Sequence, residues 1–383
     1  MPEKSCLIIA GEKSGEEHTL SFFSNLKKAS PGTKFFGVGG DDLKLEGLEL
    51  LYHLNDFSSW GYSEVIAKIP FYKKAMDRIV EEVQRRNCKT AILVDFQSFN
   101  LKLAGRLKEL NVEVLYYVAP QAWAWKEYRV KKLARSVHTL FTIIPFEKKW
   151  FHDRGVKKVI SVDHPLWTTY GRDLKEFNKE MEVRTPLRIL LLPGSRRFEV
   201  EKLLPIFIES IRELKKDFPL KVLIVKSSSV PAGLYDAYQE YFDHEFTNER
   251  LTDALKTSDF ALAASGTVTL TCALYEVPTV VCYKTSLLNQ FIYETVVSYR
   301  GFVSLANIIQ NRSVFPELLQ DQVSAYNIVS FLRNWYYNKQ ACFALKNQLK
   351  ETKFQVQGEP IDIPKYMAEV LDYSYGKKVD TTH

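Results

Sequence analysis

The sequence is poor in the features that mark secreted, disulfide-rich or membrane-spanning proteins. Its 5 cysteines are odd in number and widely spaced, which favours buried free thiols over a disulfide framework. Its apolar runs fall well short of the roughly 20 residues that cross a membrane. The apolar start "CLIIA" is also too short for a secretory signal. We therefore expect a cytoplasmic protein that contacts a membrane face at most.

Motifs for several common kinds of site are missing as well. The sequence has no Walker loop, no GxGxxG fingerprint and no His/Glu metal helix, so it predicts no metal and no cofactor. A net charge of +6 over 383 residues suits phosphate-bearing substrates or an anionic membrane surface. This charge is too small and too dispersed to indicate nucleic acid as a partner.

The sequence does contain a repeated alternation of strand-like and helix-like segments. A chain of 383 residues exceeds what one core usually holds, so two domains are expected. The alternation predicts a parallel sheet in each domain. The polar segment 168–185 lacks an apolar period and predicts a linker, and helices are predicted from Ala325 onward. The predicted strands are 6–10, 34–38, 90–94, 113–118, 139–144, 159–162, 188–192, 221–225, 260–264 and 279–283, and the main helices of the first domain are 18–28, 64–86, 101–110 and 146–154.

One junction between a strand and a helix lies in "LLLPGSRRFEVEKLLP". Pro193 and Gly194 end an apolar strand, and apolar residues recur at helical spacing from Phe198. Ser195 and Arg196 therefore lie where a helix begins at the carboxyl end of a strand, which is where open α/β sheets bind ligands. Free N–H groups at a helix start stabilise an anion such as a diphosphate. A serine-capped helix with solvated arginines would produce the same pattern.

A second junction of this kind is "AASGTVTLTCALYEVP". Ser265, Gly266 and Thr267 form the turn, and the hydroxyls of Ser265, Thr267 and Thr269 make a neutral phosphate cradle with the free N–H groups. This signal is weak alone, because Ser and Thr are also the commonest helix caps. Two such junctions in one domain favour a nucleotide diphosphate, which needs donors from more than one side.

Two strand ends of the first domain carry candidate catalytic or binding residues. The segment "LIIAGEKSGEEH" ends a strand at a small glycine loop that contains Glu12, Ser14 and Gly15. A tight turn would explain the glycines of this loop, but it would not explain the charged Glu12 at the end of the strand. In "AILVDFQSFN", Asp95 follows four apolar residues, so its carboxylate is partly desolvated and its pKa can rise towards that of a useful base. The alternative is that Asp95 is the N-cap of a helix that starts near Asn100.

These segments resemble the lipid-A-disaccharide synthase family of glycosyltransferases, over nearly the whole chain. The most specific matches are the AWAW loop with its preceding proline and the PGSRR…E…LLP segment. The matching segments, in the order of the family, are "AGEKSG", "FFGVGG", "WGYSEV", "DFQSFNLKLAGRLK", "YYVAPQAWAWKEYRVKKLAR", "PFEKKWF", "HPL", "LLPGSRRFEVEKLLP", "ASGTVTL" and "FVSLANIIQNRSVFPELLQ".

The resemblance implies an α/β protein of the GT-B class, with two Rossmann-like domains and a cleft between them. It places an acceptor domain at 1–167, a linker at 168–185 and a UDP-sugar domain at 186–344, with helices from about 345–383 packing back on the first domain. It also implies an inverting transfer of diacylglucosamine from its UDP conjugate to the 6-hydroxyl of 2,3-diacylglucosamine 1-phosphate. The products would be a β-1,6-linked lipid A disaccharide and UDP.

In this comparison Asp95 matches the general base, and Ser195 with Arg196 matches the diphosphate site. No metal or other cofactor is implied. The partners would be the UDP-sugar, the lipid monosaccharide phosphate and the cytoplasmic face of the inner membrane, with a homodimer left open. The implied substrate-binding residues are Glu12, Ser14, Gly15, Gly194, Ser195, Arg196, Glu199, Ser265, Gly266, Thr267, Thr269, Asn307, Glu317 and Gln320.

The sequence departs from the family pattern at four positions. Glu16 and Ser98 replace aspartates, and Asp163 replaces a glycine. Thr271 replaces a glutamate that binds the nucleotide ribose in related enzymes, which puts donor affinity in doubt. Two alternatives therefore remain: a UDP-sugar 2-epimerase of the same architecture, and a non-catalytic descendant that binds nucleotide sugar or lipid.

The segment 64–86 is the candidate membrane-docking surface, because apolar and cationic side chains lie side by side in it. Pro70 predicts a break, which would free the neighbouring apolar residues from the core face of the following helix. The competing interpretation is that these residues simply continue that core face. The apolar members are Val65, Ile66, Ile69, Phe71 and Tyr72, and the cationic members are Lys68, Lys73, Lys74 and Arg78.

Overall fold

The computed structural model describes residues 4–57, 68–178, 182–285 and 301–376. It divides the chain into two compact units, each built on a wholly parallel sheet. The first unit combines the chain up to Thr168 with the segment from Gln357 onward, and the second spans Thr169–Val356. The predicted pair of Rossmann-like α/β domains is therefore confirmed. The predicted segment "WGYSEV" and the first residues of the predicted helix 64–86, including Val65 and Ile66, lie outside the described residues.

The sheet of the first unit is buried on both faces. Leu7 and Ile9 belong to one apolar cluster, whereas Cys6 and Ile8 belong to another on the opposite face. A strand covered on both sides needs apolar residues at every position, which is why these strands appear as unbroken apolar runs. The described strands, in the spatial order β3-β2-β1-β4-β5-β6-β7, are β1 (Ser5–Ala10), β2 (Lys34–Gly39), β3 (Glu49–His53), β4 (Thr90–Val94), β5 (Glu113–Tyr117), β6 (Thr139–Thr142) and β7 (Val159–Ser161).

Helices follow most of these strands and cover the two faces. The helix that follows β4 has Leu103, Ala104 and Leu107 on its buried side. The described helices up to residue 152 are α1 (Lys13–Ala29), α2 (Asp41–Leu45), α3 (Leu54–Phe57), α4 (Ile69–Arg85), α5 (Gln97–Glu109), α6 (Arg129–Ser136) and α7 (Glu147–His152). The next helix, α8 (Pro165–Glu176), begins in the first unit and continues in the second.

The second unit repeats the plan with six described strands in the order β10-β9-β8-β11-β12-β13. Its strands are β8 (Leu187–Leu192), β9 (Leu220–Lys226), β10 (His244–Thr247), β11 (Phe260–Ala264), β12 (Thr279–Tyr283) and β13 (Glu317–Leu319). Its described helices are α9 (Arg197–Leu214), α10 (Gly233–Asp236), α11 (Leu251–Thr257), α12 (Thr267–Leu274), α13 (Leu305–Gln310), α14 (Ala325–Tyr337), α15 (Lys339–Lys350) and α16 (Thr352–Gln355), with short 3-10 turns at Gln239–Tyr241, Asn248–Arg250 and Gln320–Gln322.

The chain returns to the first unit later than the sequence predicts. The return was expected near residue 345, but α15 and α16 belong to the second unit, where Lys353 Nζ lies 2.7 Å from Glu276 Oε1. The returning segment pairs with β7 and ends in α17 (Ile363–Ser374). The backbone of Gly358 approaches Val162 so closely that a Cβ would lie 2.4 Å from the Val162 carbonyl carbon. The Gly358 N–H donates to Asp163 Oδ1 at 2.7 Å, which gives the unusual Asp163 a structural role.

Two other expectations about local structure are corrected. The first half of the predicted linker 168–185 is helical, because α8 continues through it to Glu176. Asp173 on this helix accepts a hydrogen bond from the Tyr275 hydroxyl, so polar contacts hold a helix that has little apolar period. Pro70 does not break α4; it lies in the first turn, where its missing N–H is not needed. Phe71 and Tyr72 therefore pack against the core cluster instead of pointing away from it.

Candidate active site

Asp95 lies at the carboxyl end of β4 in a strained turn. Asp95 and Phe96 both have φ of 47°, a left-handed conformation that costs of order 1–3 kcal/mol for residues other than glycine. Helix α5 begins at Gln97, with Phe96 as its N-cap and no capping bond from a side chain. The alternative that Asp95 is a helix cap is therefore wrong. Gly11 makes the turn feasible, because a Cβ there would lie 2.6 Å from the Phe96 ring.

The backbone of Asp95 is held on both sides. Its N–H donates to the Tyr117 carbonyl at 2.9 Å. Its carbonyl accepts hydrogen bonds from Asn100 Nδ2 at 2.8 Å and from the Tyr116 hydroxyl at 3.1 Å. These bonds orient the carboxylate, whose Oδ2 accepts from Ser14 Oγ at 3.3 Å. This hydrogen bond joins the residues that follow β1 and β4.

The electrostatics around Asp95 suit a proton acceptor. Burial raises the pKa of Asp95, and hydrogen bonds from Ser14 and the Phe96 backbone act in the opposite direction. The pKa of Glu12 is raised too, by partial burial first and then by the negative charge of Asp95. A buried carboxyl group of raised pKa next to a second carboxyl group is a pattern found at catalytic sites.

Helix α1 packs tightly beneath this site. A Cβ on Gly15 would lie 3.4 Å from the Val94 carbonyl, so Gly15 permits a close approach between α1 and β4. Glu16 is buried, and its Oε1 accepts from the Leu43 N–H at 3.2 Å at the start of α2. Its other oxygen accepts from Lys13 Nζ at 2.8 Å. Glu16 therefore serves α2 and does not face the site.

Arg129 is a candidate that the sequence did not single out. This buried arginine donates from Nη1 to Gln97 Oε1 at 2.6 Å and from Nη2 to Ser98 Oγ at 3.4 Å. Across the described ranges it forms no ion pair, so a buried cation lies behind the Asp95 turn with neutral partners. In the sequence Arg129 is one of several cations on an amphipathic helix, and nothing local marks it as buried.

The AWAW loop is anchored by a buried carboxyl group. Trp123 Nε1 donates to Glu147 Oε1 at 2.9 Å, and the Trp123 and Phe146 rings meet at 5.2 Å between centroids. Burial raises the pKa of Glu147 to about 8, although hydrogen bonds from Trp123 and the Ile144 backbone favour the charged form. Trp123 is thus a packing residue that shapes the loop.

In the second unit the two strand–helix junctions line one pocket of about 290 Å³. Val225, Asn248 and Leu251, which lie outside the two junctions, also line it. Thr271 is not among its lining residues and is buried within α12. The predicted site residues that line the pocket are Gly194, Ser195, Arg196, Glu199, Ser265, Gly266 and Thr267.

The start of α9 already carries an anion from its own chain. Glu199 Oε2 accepts from the N–H groups of Ser195 at 3.0 Å and of Arg196 at 3.2 Å. Gly194 has φ of 117°, and a Cβ there would lie 2.3 Å from Glu199 Oε2, so this arrangement depends on glycine. The expectation that the Ser195 and Arg196 amides are free is therefore wrong. Arg196 is 72% exposed and pairs with Glu199 at 3.2 Å.

The remaining predicted binding residues organise the neighbouring loops. Thr269 Oγ1 donates to the Gly266 carbonyl at 2.8 Å and accepts from the Leu305 N–H at 3.2 Å. Glu317 Oε1 accepts from Asn307 Nδ2 and from the Ser304 N–H, both at 2.8 Å. Gln320 Oε1 accepts from the Thr285 N–H at 3.3 Å. None of Thr269, Asn307, Glu317 and Gln320 is among the residues that line the pocket.

The described residues contain neither a candidate metal cluster nor a membrane-crossing helix. Within these residues no group of three or more His, Cys, Asp or Glu side chains is arranged to hold a metal ion. No helix among them has the length and apolarity needed to cross a membrane. The five cysteines are all buried and form no disulfide with one another.

The fold defines a class of proteins, the GT-B glycosyltransferases and related epimerases. The UDP-GlcNAc 2-epimerase from Neisseria meningitidis, solved with UDP-GlcNAc, aligns with a TM-score of 0.56 at 12% identity, covering 98% of this chain and 100% of that one. A calicheamicin glycosyltransferase aligns with a TM-score of 0.55 at 12% identity, covering 98% and 99% of the two chains. At these identities the likeness shows the fold alone and does not separate transferases from epimerases.

Sequence similarity separates the transferases from the epimerases. The chain belongs to the lipid-A-disaccharide synthetase family, whose model matches residues 6–368. It is 30% identical to lipid-A-disaccharide synthase 1 of Legionella pneumophila strain Lens, over 94% of this chain and 96% of that protein. It is 33% identical to the lipid-A-disaccharide synthase of Myxococcus xanthus, over 85% and 86% of the two chains.

Proposed function

We propose that this protein transfers 2,3-diacylglucosamine from its UDP conjugate to the 6-hydroxyl of 2,3-diacylglucosamine 1-phosphate. The products are a β-1,6-linked disaccharide and UDP. The observation that carries the proposal is the Asp95 turn, in which strained backbone and paired hydrogen bonds present a carboxylate of raised pKa. Such strain persists only where the surroundings hold it, and it is concentrated at functional sites.

In the proposed reaction Asp95 accepts the proton of the acceptor hydroxyl as its oxygen attacks the anomeric carbon of the donor. The bond from that carbon to the diphosphate breaks, and UDP leaves with the bonding electron pair. A positioned base contributes typically 10²–10⁴-fold to such a rate. Ser14 holds the carboxylate in place, and burial keeps the pKa of Asp95 raised.

The second unit would bind the UDP part of the donor in the pocket at the two strand–helix junctions. An incoming diphosphate competes with the Glu199 carboxylate for the Ser195 and Arg196 N–H groups. Displacement of Glu199 would also release the exposed guanidinium of Arg196 to pair with the diphosphate. The start of α12, with Ser265 and Thr267, would supply donors from the other side of the pocket.

An enzyme whose substrates carry acyl chains must bind them at a membrane surface. Helix α4 offers the surface for that contact. Ile69 is 56% exposed, and Lys73 and Lys74 are exposed on the same helix. One apolar side chain beside cations fits a peripheral, salt-sensitive contact with anionic lipid. The surface is smaller than the sequence suggests, because Phe71 and Tyr72 pack inward.

A single assay tests the proposal against its rivals. The purified protein is mixed with UDP-diacylglucosamine and diacylglucosamine 1-phosphate, and the disaccharide and UDP are measured. A transferase forms both only when both substrates are present. Conversion of UDP-GlcNAc alone to its 2-epimer would support the epimerase, and UDP binding without product in either mixture would support a non-catalytic protein.

A further inference from the structure

A large cavity opens on the first unit beside the candidate base. Its volume is about 1190 Å³, above the range of about 300–1,000 Å³ that is usual for small-molecule pockets. It reaches Gly11, Glu12 and Phe96, and Phe96 directly follows Asp95 in the chain. The transfer mechanism gives no role to most of this volume, which exceeds what one sugar ring requires.

The inner walls of the cavity are aromatic and apolar. The Phe57 ring lies 5.9 Å from Tyr72, 5.6 Å from Phe96 and 5.4 Å from Phe99, measured between centroids. The Tyr72 hydroxyl donates to the Phe57 carbonyl at 2.9 Å, so its polar atom is satisfied. Met76 adds an apolar side chain to the same wall. Walls of this kind favour hydrocarbon over a hydrated sugar or phosphate.

The rim of the cavity carries cations. Lys73 on α4 and Lys102 on α5 both line the cavity and are exposed. Within the parts of the chain that the structure describes, neither forms an ion pair. The third rim lysine, Lys13, is engaged by Glu16 and Asp42, each at 2.8 Å. Apolar walls under a cationic rim complement a molecule with a hydrocarbon chain and an anionic head group.

We propose that this cavity binds an acyl chain of the acceptor lipid, with Lys73 and Lys102 at its phosphate. The inference rests on the proposed function, which supplies an acceptor that carries both acyl chains and a phosphate. A membrane phospholipid has the same general chemistry. The acceptor fits better, because Glu12 and Phe96 line the cavity, and Phe96 adjoins Asp95, which a bound sugar must reach in the proposed transfer.

The first test uses calorimetry with octyl, nonyl and decyl phosphate below their micelle concentrations. Burial of one methylene group is worth about 0.8 kcal/mol, so affinity should rise about threefold to fourfold with each added carbon. Decanol and inorganic phosphate should each bind more weakly than decyl phosphate. An affinity that does not depend on chain length would overturn the proposal.

Matched variants locate the binding. Ser98→Trp fills the cavity from an exposed position on α5 and should abolish the dependence on chain length, whereas Glu109→Trp at the exposed end of the same helix should not. The double variant Lys73→Glu, Lys102→Glu should bind decyl phosphate about tenfold more weakly than the wild type does. Its affinity for decanol should be unchanged. The control pair Lys74→Glu with Lys108→Glu changes the same net charge on the same helices, away from the cavity lining. Equal weakening by both pairs would contradict the assigned role of the rim.

Competition distinguishes the acceptor from bulk lipid. Short-chain diacylglucosamine 1-phosphate should displace decyl phosphate at a concentration at least about tenfold lower than short-chain phosphatidylglycerol of equal acyl length. Equal displacement would show a general lipid site and overturn the assignment to the acceptor. These are equilibrium measurements, so absence of disaccharide formation would refute the proposed function without changing them. Normal turnover with no chain-dependent binding would refute the cavity assignment alone.

Discussion

The buried carboxyl group of Glu147 makes a prediction about how the stability of the first unit changes with pH. Its pKa is raised by burial from an ordinary value of 4.5 to about 8. Between these two values the folded protein holds a proton that the unfolded chain has released. The free energy of unfolding therefore falls as pH rises through this window, by at most about 1.4 kcal/mol per pH unit. Over the whole window the loss totals roughly 5 kcal/mol as an upper figure.

Glu147→Gln removes this ionisation and keeps an oxygen acceptor for Trp123. Between pH 5 and pH 8.5 the free energy of unfolding of the variant should rise relative to that of the wild type by several kcal/mol. A pH-independent difference caused by the new amide does not affect this change. The measurement is urea unfolding followed by tryptophan fluorescence across this pH range. The signal reports mainly on the first unit, because most tryptophans lie before Thr169: Trp60, Trp123, Trp125, Trp150 and Trp167, against Trp335 alone after it.

Glu17→Gln is the matched control, because Glu17 is an exposed glutamate of the same unit. Its unfolding free energy should follow the wild type at every pH. Parallel curves for Glu147→Gln and the wild type would show that Glu147 is not held neutral in the fold, and would refute the argument from burial.

Four further outcomes are expected. Asp95→Asn should lower kcat by about 10²–10⁴ with unchanged UDP affinity by calorimetry; a rate above half of wild type rejects Asp95 as the base. Arg196→Ala should weaken UDP binding about tenfold or more, and an unchanged Kd contradicts its diphosphate role. Gly194→Ala should destabilise the second unit by about 1–3 kcal/mol in thermal unfolding, since its φ is 117°, and an unchanged Tm disproves the strain. Ile69→Ser should reduce flotation with anionic vesicles at low salt, whereas Leu45→Ser, which removes another exposed aliphatic side chain, should not; equal flotation refutes docking through α4.

The interior of each sheet could be predicted closely from the sequence. Strands β4, β11 and β12 have the predicted bounds, because a strand covered on both faces needs an unbroken apolar run. The described strands β3, β10 and β13 escaped prediction. All three lie at sheet edges and have largely half-buried or exposed residues, so their composition carries no such run.

Some features of the candidate site could likewise be predicted from the sequence, and others could not. The position of Asp95 at a strand end follows from the local pattern, whereas its contact with Ser14 depends on the pairing of β1 with β4. Its left-handed backbone depends on Gly11, which lies 84 residues away along the chain. The occupation of the Ser195 and Arg196 amides by Glu199 is local, but it depends on a rotamer that the sequence does not specify.

The sequence by itself determined the two parallel-sheet units, the strand ends that carry polar residues and the family to which the chain belongs. These depend on composition and spacing within short segments. Only the tertiary structure decided that Arg129 and Glu147 are buried and that Thr271 does not line the pocket at the two strand–helix junctions. It also decided that Phe57 and the aromatic rings around it line a cavity with two lysines. Burial and cavity shape arise from packing between segments that are distant in the chain, and a local pattern of residues carries no record of which partners will meet.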